Sequence, residues 1–375
     1  MKRILTILVV ITLLVVTYGL WKKYNGIWVA NSPTKENIVE LIKTASQTPV
    51  PGENKTTMPL SVPDGYRISI YADGLVAPRD LELDPNGVLL TSVTSKGKVV
   101  ALLDNKTETV LSGLNKPHGI AFANGKMYVA ETNAVSTYDY DSNTRKATNK
   151  NKIIDLPGGG GHFTRSILIK DSKIYVSIGS TCNVCVEYDS KRASIWYANL
   201  DGSDFKLFSS GLRNSVFMAV NPKTNQIWAT NMGRDNLGDD VPPETVNVIK
   251  EGANYGWPYC YGNKVPDKET NPQNSKFDCN KMEAPELMFQ AHTAPLGIAF
   301  LDNNVLVALH GSWNRTIPAG YKIIKFVSGK EEDFITGWQR NDNEIIGRPV
   351  DILVKGTEIY ISDDKAGVVY KLQKI

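Results

Sequence analysis

Imidazole is the side chain whose ordinary pKa lets it take a proton near neutrality, and the 375 residues hold only four: His118, His162, His292 and His310. His162 follows the run Gly158 to Gly161, which lets a planar group approach the backbone but lacks the Lys-Ser/Thr ending of a phosphate loop. A satisfied structural imidazole is the commoner role for any single histidine. On its own the glycine run could be a flexible turn; it is the register of a repeat, which puts His162 at a channel rim, that makes it a candidate for proton transfer.

Hard-oxygen chemistry also has a candidate. From Asn231 to Asp240 the chain reads NMGRDNLGDD, a carboxylate-, amide- and glycine-rich loop of the kind that offers oxygens to calcium. It lacks the alternating acids and closing Glu of an EF-hand, and a solvated loop is the competing reading. The four cysteines, Cys182, Cys185, Cys260 and Cys279, form an even set suited to two disulfides in an oxidising compartment. Cys182 and Cys185 could instead be a redox dithiol, but such pairs open helices, whereas here β-rich sequence precedes them and turn residues follow. Zinc would need all four to converge from spacings unlike those of fingers, and no His follows Cys185 to attach haem.

A repeat must position these groups. Six segments share one pattern, starting at Pro78 (PRDLEL), Pro117 (PHGIAF), Thr164 (TRSILI), Ser215 (SVFMAV), Pro295 (PLGIAF) and Pro349 (PVDILV). Each leads through turn residues, such as Asn124-Gly125 or Asp302-Asn303, into a second β-rich run such as MYVAE after Lys126 or VLVAL after Asn304. Six such hairpins predict an all-β fold, a six-bladed β-propeller, with seven blades as the competing count. The longest interval runs from Ser215 to Pro295, and residues 232–282 are rich in Gly, Asp, Asn and Pro, so they read as an insertion in one blade. Tyr66 to Ala72 precedes the first repeat without a blade of its own and is expected to complete the last one, leaving no open sheet edge. In this register the residues around each strand entry share one rim of the central channel. They include Arg79, Lys116, His118, His162, Arg165, Arg213, Asn214 and Arg348, a cationic ring whose alternative is a set of ordinary rim salt bridges.

Composition narrows the function classes. Lys and Arg number 42 against 39 Asp and Glu, and part of that small excess sits at Lys2, Arg3, Lys22 and Lys23, so no basic face remains for nucleic acid. Ile4 to Trp21 carries no charge and at 1.5 Å per residue would reach roughly 27 Å, nearly a hydrocarbon core. Tyr18 to Lys23 offers only a poor small-x-small cleavage site, which favours an uncleaved transmembrane helix over a signal peptide, the alternative. The expected domains are a membrane anchor or signal segment at 1–22, a polar linker at 23–63 and the propeller at 64–375, with the body on the extracytoplasmic side.

These residues resemble a family, the quinoprotein sugar dehydrogenases that bind pyrroloquinoline quinone (PQQ), in particular the sorbosone dehydrogenase-like branch. The resemblance spans about 62–371 and is carried by GHFTR at 161–165, GSTCNVCVE at 179–187, GLRN at 211–214, GRDNLGDD at 233–240, NYGWPYC at 254–260, HGSWNR at 310–315 and RPVD at 348–351. It implies a PQQ- and Ca²⁺-dependent oxidoreductase that oxidises a sugar or related alcohol and passes electrons to an acceptor such as a membrane quinone or cytochrome. It further implies that His162 is the base, that Arg213 and Asn214 face cofactor and substrate, and that Arg348 pairs with a PQQ carboxylate. His118 and Arg165 join the cofactor-binding set from the rim, and Arg315 stands in for a further cationic contact. The backbone carbonyls of Gly233 and Arg234 match the ligands of the PQQ-bound Ca²⁺. The same reading expects a Cys260–Cys279 bridge that pins the insertion and a Cys182–Cys185 bridge.

The chain departs from glucose-oxidising relatives in two places. They carry an acidic residue before the base, where this chain has Gly161, so the group orienting His162 is absent or comes from elsewhere. They carry two closely spaced arginines near the last blade, where this chain has Arg348 and then Val350. Two rivals stand beside the dehydrogenase: a cofactor-free membrane-anchored propeller that binds a protein or glycan, and a calcium-dependent lactone hydrolase, which the cationic rim disfavours.

Overall fold

Residues that tolerate a left-handed backbone sit where the hairpins must turn. Asn124 and Gly125, Asp171 and Ser172, and Asp302 and Asn303 all adopt positive φ, the requirement of the tight turns that match strand twist. In the computed structural model the described residues are 50–375 except 104–105 and 342. The expected anchor at 1–22 and the linker as far as residue 49 lie outside them. No described helix is long and apolar enough to cross a membrane.

Six antiparallel sheets form six blades. The inner hairpins are Pro78–Leu83 with Leu89–Val93, Ile120–Ala123 with Lys126–Glu131, Arg165–Lys170 with Lys173–Ile178, Met218–Val220 with Ile227–Asn231, Pro295–Leu301 with Asn304–Leu309, and Pro349–Lys355 with Glu358–Asp363. The six-blade count expected from the repeats therefore holds. Tyr66–Ala72 pairs antiparallel with Val368–Lys374 and supplies the last blade's fourth strand, as expected. Residues 50–63, assigned above to the linker, are partly built into the propeller: Glu53–Asn54 adds a parallel fifth strand to the last blade, Ser61 bridges to Thr336 just past the outer strand of the fifth, and Leu60 is buried.

Apolar side chains alternate along each strand and meet those of the neighbouring sheet, so the core is a ring of wedges between blades. Ile174, Val176 and Ile178 of the third blade pack on Tyr128, Ala130 and Val135 of the second, and Ile323, Ile359 and Tyr370 close the ring between the fifth blade and the last. The third position of the inner-strand repeat joins neighbours at the axis. Asp351 accepts from Leu81 N and Asp80 from Ile120 N, both at 2.8 Å. The same position is Gly119 in the second blade and Gly297 in the fifth, where a Cβ would lie 2.6 Å from Ile167 N and 2.7 Å from Val350 O. Close approach of inner strands explains both residue types.

The insertion differs from its expected form. Glu244–Ile249 lies within the supposed unpaired stretch and is the third strand of the fourth blade, paired to Ile227–Asn231 and to Leu287–Phe289. What remains is a loop at 232–243 and an excursion at 250–286 that holds the small hairpin Cys260–Tyr261 with Val265–Pro266. The Cys260–Cys279 disulfide crosses this excursion, and Cys182–Cys185 closes a turn in the third blade.

Candidate active site

The entries of the inner strands open onto a cleft of about 520 Å³ at one end of the channel, within the roughly 300–1,000 Å³ usual for small-molecule sites. His162, Arg213, Asn214, Gly233 and Arg348 all line it, together with Arg79 and Lys116 from the expected ring.

His162 stands before the third blade's first strand. Its Nδ1 lies 3.0 Å from the Ser180 carbonyl and 2.8 Å from Ser180 Oγ. A carbonyl can only accept, so Nδ1 carries the proton and Nε2 keeps its lone pair. The Ser180 hydroxyl donates to Cys182 O at 2.7 Å, which leaves its oxygen free to accept from His162. Ser180 thus supplies the orienting group that Gly161 cannot. Burial, reinforced by the positive charge of Arg213, holds the imidazole down at about 4, so it is neutral at pH 7. Gly179 is what lets its neighbours meet: a Cβ there would lie 2.6 Å from both Asn214 Oδ1 and His162 Cβ.

Arg213 donates from Nε to Asn183 O at 2.8 Å and from Nη2 to Asn183 Oδ1 at 2.9 Å and Asp235 Oδ2 at 2.8 Å. Its Nη1 donates to no described atom. Arg79 pairs with Asp364 at 2.6 Å, and His310 Nε2 donates to the same carboxylate at 2.9 Å. Burial pushes Asp364 up, but His310 and Arg79 outweigh it and hold the carboxyl below its usual range. Glu244 goes the other way: burial raises it to about 8, against the N–H groups of Gly233 and Ala294 that it accepts.

Two cations in the cleft have no carboxylate partner among the described residues. Lys116 Nζ lies 4.6 Å over the Phe163 ring, and Arg348 stacks 5.3 Å from the Tyr321 ring centre with only long contacts to His310, Ser312 and Tyr321. With Asp235 and Asp364 paired and Glu244 neutral at pH 7, the cleft carries net positive charge. Of the ring expected from the sequence, the cations Arg79, Lys116, Arg213 and Arg348 line the cleft, and two of these four, Arg79 and Arg213, are already matched by carboxylates within the protein.

Three expected cofactor contacts point elsewhere. Arg165 is fully buried behind the cleft and donates to the carbonyls of Pro157, His162 and Thr164, so it braces the His162 loop. His118 is equally buried, beside Ser166 Oγ at 3.2 Å and against Phe217, with Nε2 unpartnered. Arg315 ties the insertion through the Asp239 and Ala291 carbonyls and Asp240. Arg234 likewise directs its side chain away, to Asp267 at 2.8 Å and Glu269 at 2.6 Å. Its carbonyl and that of Gly233 accept no hydrogen bond from any described residue, which suits oxygens offered to a cation. Asp235, Asp364, Ser180 and Asn183 were missed, because each reaches the site through a partner distant in sequence.

A six-bladed propeller with a cationic cleft around a neutral imidazole defines the class. The TrAA12-like family profile matches residues 60–374. The chain belongs to that family, among the propellers of the PQQ-dependent sugar dehydrogenases. An uncharacterized protein of Borreliella burgdorferi is 29% identical over 84% of this chain and 91% of its own. The pyrroloquinoline quinone-dependent pyranose dehydrogenase of Coprinopsis cinerea is 27% identical over 87% of this chain, which spans 56% of that protein. Among solved structures, the holo PQQ domain of the Coprinopsis cinerea enzyme superposes with a TM-score of 0.75 at 24% identity, covering 86% of this chain and 100% of that one. A calcium structure of the Trichoderma reesei AA12 enzyme gives the same TM-score, identity and coverage.

Proposed function

We propose that the chain is a PQQ- and Ca²⁺-dependent dehydrogenase that oxidises a sugar or related alcohol. The observation that carries this reading is the neutral His162, its Nε2 lone pair available, in one cleft with Lys116 and Arg348, which have no carboxylate partner among the described residues. A polycarboxylate ring such as PQQ meets that charge, and Arg348 can offer bidentate donors. Gly233 and Arg234 would hold Ca²⁺ through their carbonyls, and Lys116, Asn214 and Arg348 would hold the quinone. When bound, PQQ under Ca²⁺ polarisation supplies the hydride acceptor.

The protein's own groups do the rest. His162 Nε2 takes the substrate hydroxyl proton, and the fixed Nδ1–H donated to Ser180 stabilises the imidazolium that forms. Arg213 sets positive charge beside that proton transfer, with Nη1 free to donate to a developing oxyanion. The two disulfides support an extracytoplasmic location, where a membrane quinone or cytochrome could accept the electrons.

Reconstitution with PQQ and Ca²⁺, followed by a dye-reduction screen over aldoses, sorbosone and simple alcohols, tests the proposal. Sugar-dependent dye reduction that falls by roughly a hundredfold or more in His162→Gln, with PQQ still bound, is expected. A folded protein that binds no PQQ would instead favour a cofactor-free binding propeller.

A further inference from the structure

Both groups that the proposed reaction assigns to proton and charge are held from one short, cross-linked turn. Residues 179–193 form no helix or strand, and within them the Cys182–Cys185 disulfide closes a ring of sequence separation 3. Ser180, just ahead of the ring, presents both acceptors to His162 Nδ1, at 3.0 and 2.8 Å. Its hydroxyl is itself fixed at 2.7 Å on the carbonyl of Cys182. Asn183, inside the ring, takes Arg213 from two directions, through its carbonyl at 2.8 Å and its Oδ1 at 2.9 Å.

The same asparagine reaches the calcium-loop candidate. Asp235 N donates to Asn183 Oδ1 at 2.7 Å, and Asn183 Nδ2 donates to Asp235 O at 3.1 Å. Outside the ring, Thr181 is held by Glu187 through N at 2.6 Å and Oγ1 at 2.7 Å, and its carbonyl accepts Gly161 N at 2.9 Å. An irregular turn at the protein surface has many accessible backbone states, and the cross-link removes most of them. The second disulfide acts elsewhere: Cys260 and Cys279 pack with Tyr259, Phe277 and Met282, the loop they close holds the Arg234 side chain through Asp267 and Glu269, and no described hydrogen bond runs from that loop to His162 or Arg213.

We propose that the Cys182–Cys185 ring is a positioning device, with Ser180 and Asn183 as positioning residues that set the tautomer of His162 and the direction of Arg213. Opening the disulfide disables turnover while the propeller stays folded. The statement about turnover rests on the dehydrogenase reading; the statement about His162 does not, and it is read on the cofactor-free protein.

Nitrogen-15 NMR of the histidine-labelled full chain without PQQ gives the first readout. The wild type should show His162 with its proton on Nδ1, and Cys182→Ser/Cys185→Ser should move it toward the Nε2–H form that imidazole prefers in water. Cys260→Ser/Cys279→Ser should leave the tautomer unchanged. Loaded with PQQ and Ca²⁺, the opened ring should lower kcat by roughly a hundredfold, as expected for misplaced groups, with KM for the sugar within about twofold.

Should the double variant fail to fold, a phosphine supplies the same state from the native protein. It becomes a phosphine oxide with oxygen from water as the disulfide becomes two thiols. Cys182 and Cys185 are part-exposed whereas Cys260 and Cys279 are 4% and 1% exposed, so mild reduction and alkylation mapping select the ring. An unchanged His162 tautomer, or an unchanged kcat, with the ring shown to be open overturns the proposal. If the tautomer moves but even the wild type oxidises no sugar, the dehydrogenase reading fails and the bracing of His162 stands.

Discussion

Replacing His162 by glutamine should change how stability depends on pH. In the folded cofactor-free protein, burial and Arg213 hold this imidazole at about 4, against 6.5 for an ordinary histidine. Between those values the unfolded chain binds a proton that the folded chain refuses. Stability therefore falls as the pH drops through 6.5 and the loss levels off below about 4. At about 1.36 kcal/mol per unit, the loss at pH 5 comes to about 2 kcal/mol, against almost none at pH 7.5. Glutamine keeps a hydrogen-bonding head but does not titrate. Urea unfolding of both cofactor-free proteins at pH 7.5 and pH 5.0 isolates the contribution, because every other titrating group cancels between them. On acidification the variant should gain about 2 kcal/mol relative to the wild type. A relative change below about 0.5 kcal/mol would refute the buried, neutral imidazole on which the proposed chemistry depends.

Four further outcomes follow from the cleft. Lys116→Ala and Arg348→Ala should each weaken PQQ binding by roughly ten- to a hundredfold, the worth of a charged hydrogen bond, as read by absorbance titration. Arg165→Lys, behind the cleft, should change melting and leave the free-protein affinity for PQQ within about threefold. Asp235→Asn leaves the buried Arg213 without its anion at 2.8 Å and should cost about 3 kcal/mol in urea unfolding. Gly233→Ala brings a Cβ to 2.6 Å from Pro242 Cγ. The displaced carbonyl should weaken Ca²⁺-dependent retention of PQQ, measured by titration with EGTA.

The propeller was legible because its repeat is a physical requirement: every blade needs a buried inner strand, a tight turn and a second strand. The strand Glu244–Ile249 escaped notice because long loops flank it on both sides and hid its pairing partners. The rim shows where sequence register stops. Arg79, His118 and Arg165 hold the same place relative to their strand entries, yet only Arg79 lines the cleft. Arg79 finds the carboxylate of Asp364, whereas Arg165 finds three carbonyls of its own loop and His118 finds Ser166 and Phe217. Register sets a residue's height along the axis; its partners decide its direction. With Gly161 before His162 the orienting group had to come from elsewhere if present, and Ser180 arrives from beyond the next strand of the same blade.

Titration of the folded, cofactor-free chain with PQQ in the presence of Ca²⁺ probes the central assignment most directly. One equivalent should bind, with affinity lost in the Lys116→Ala/Arg348→Ala double variant and kept in His162→Gln. Binding that is absent, or that survives removal of both cations, would contradict the assignment of this cleft to the quinone.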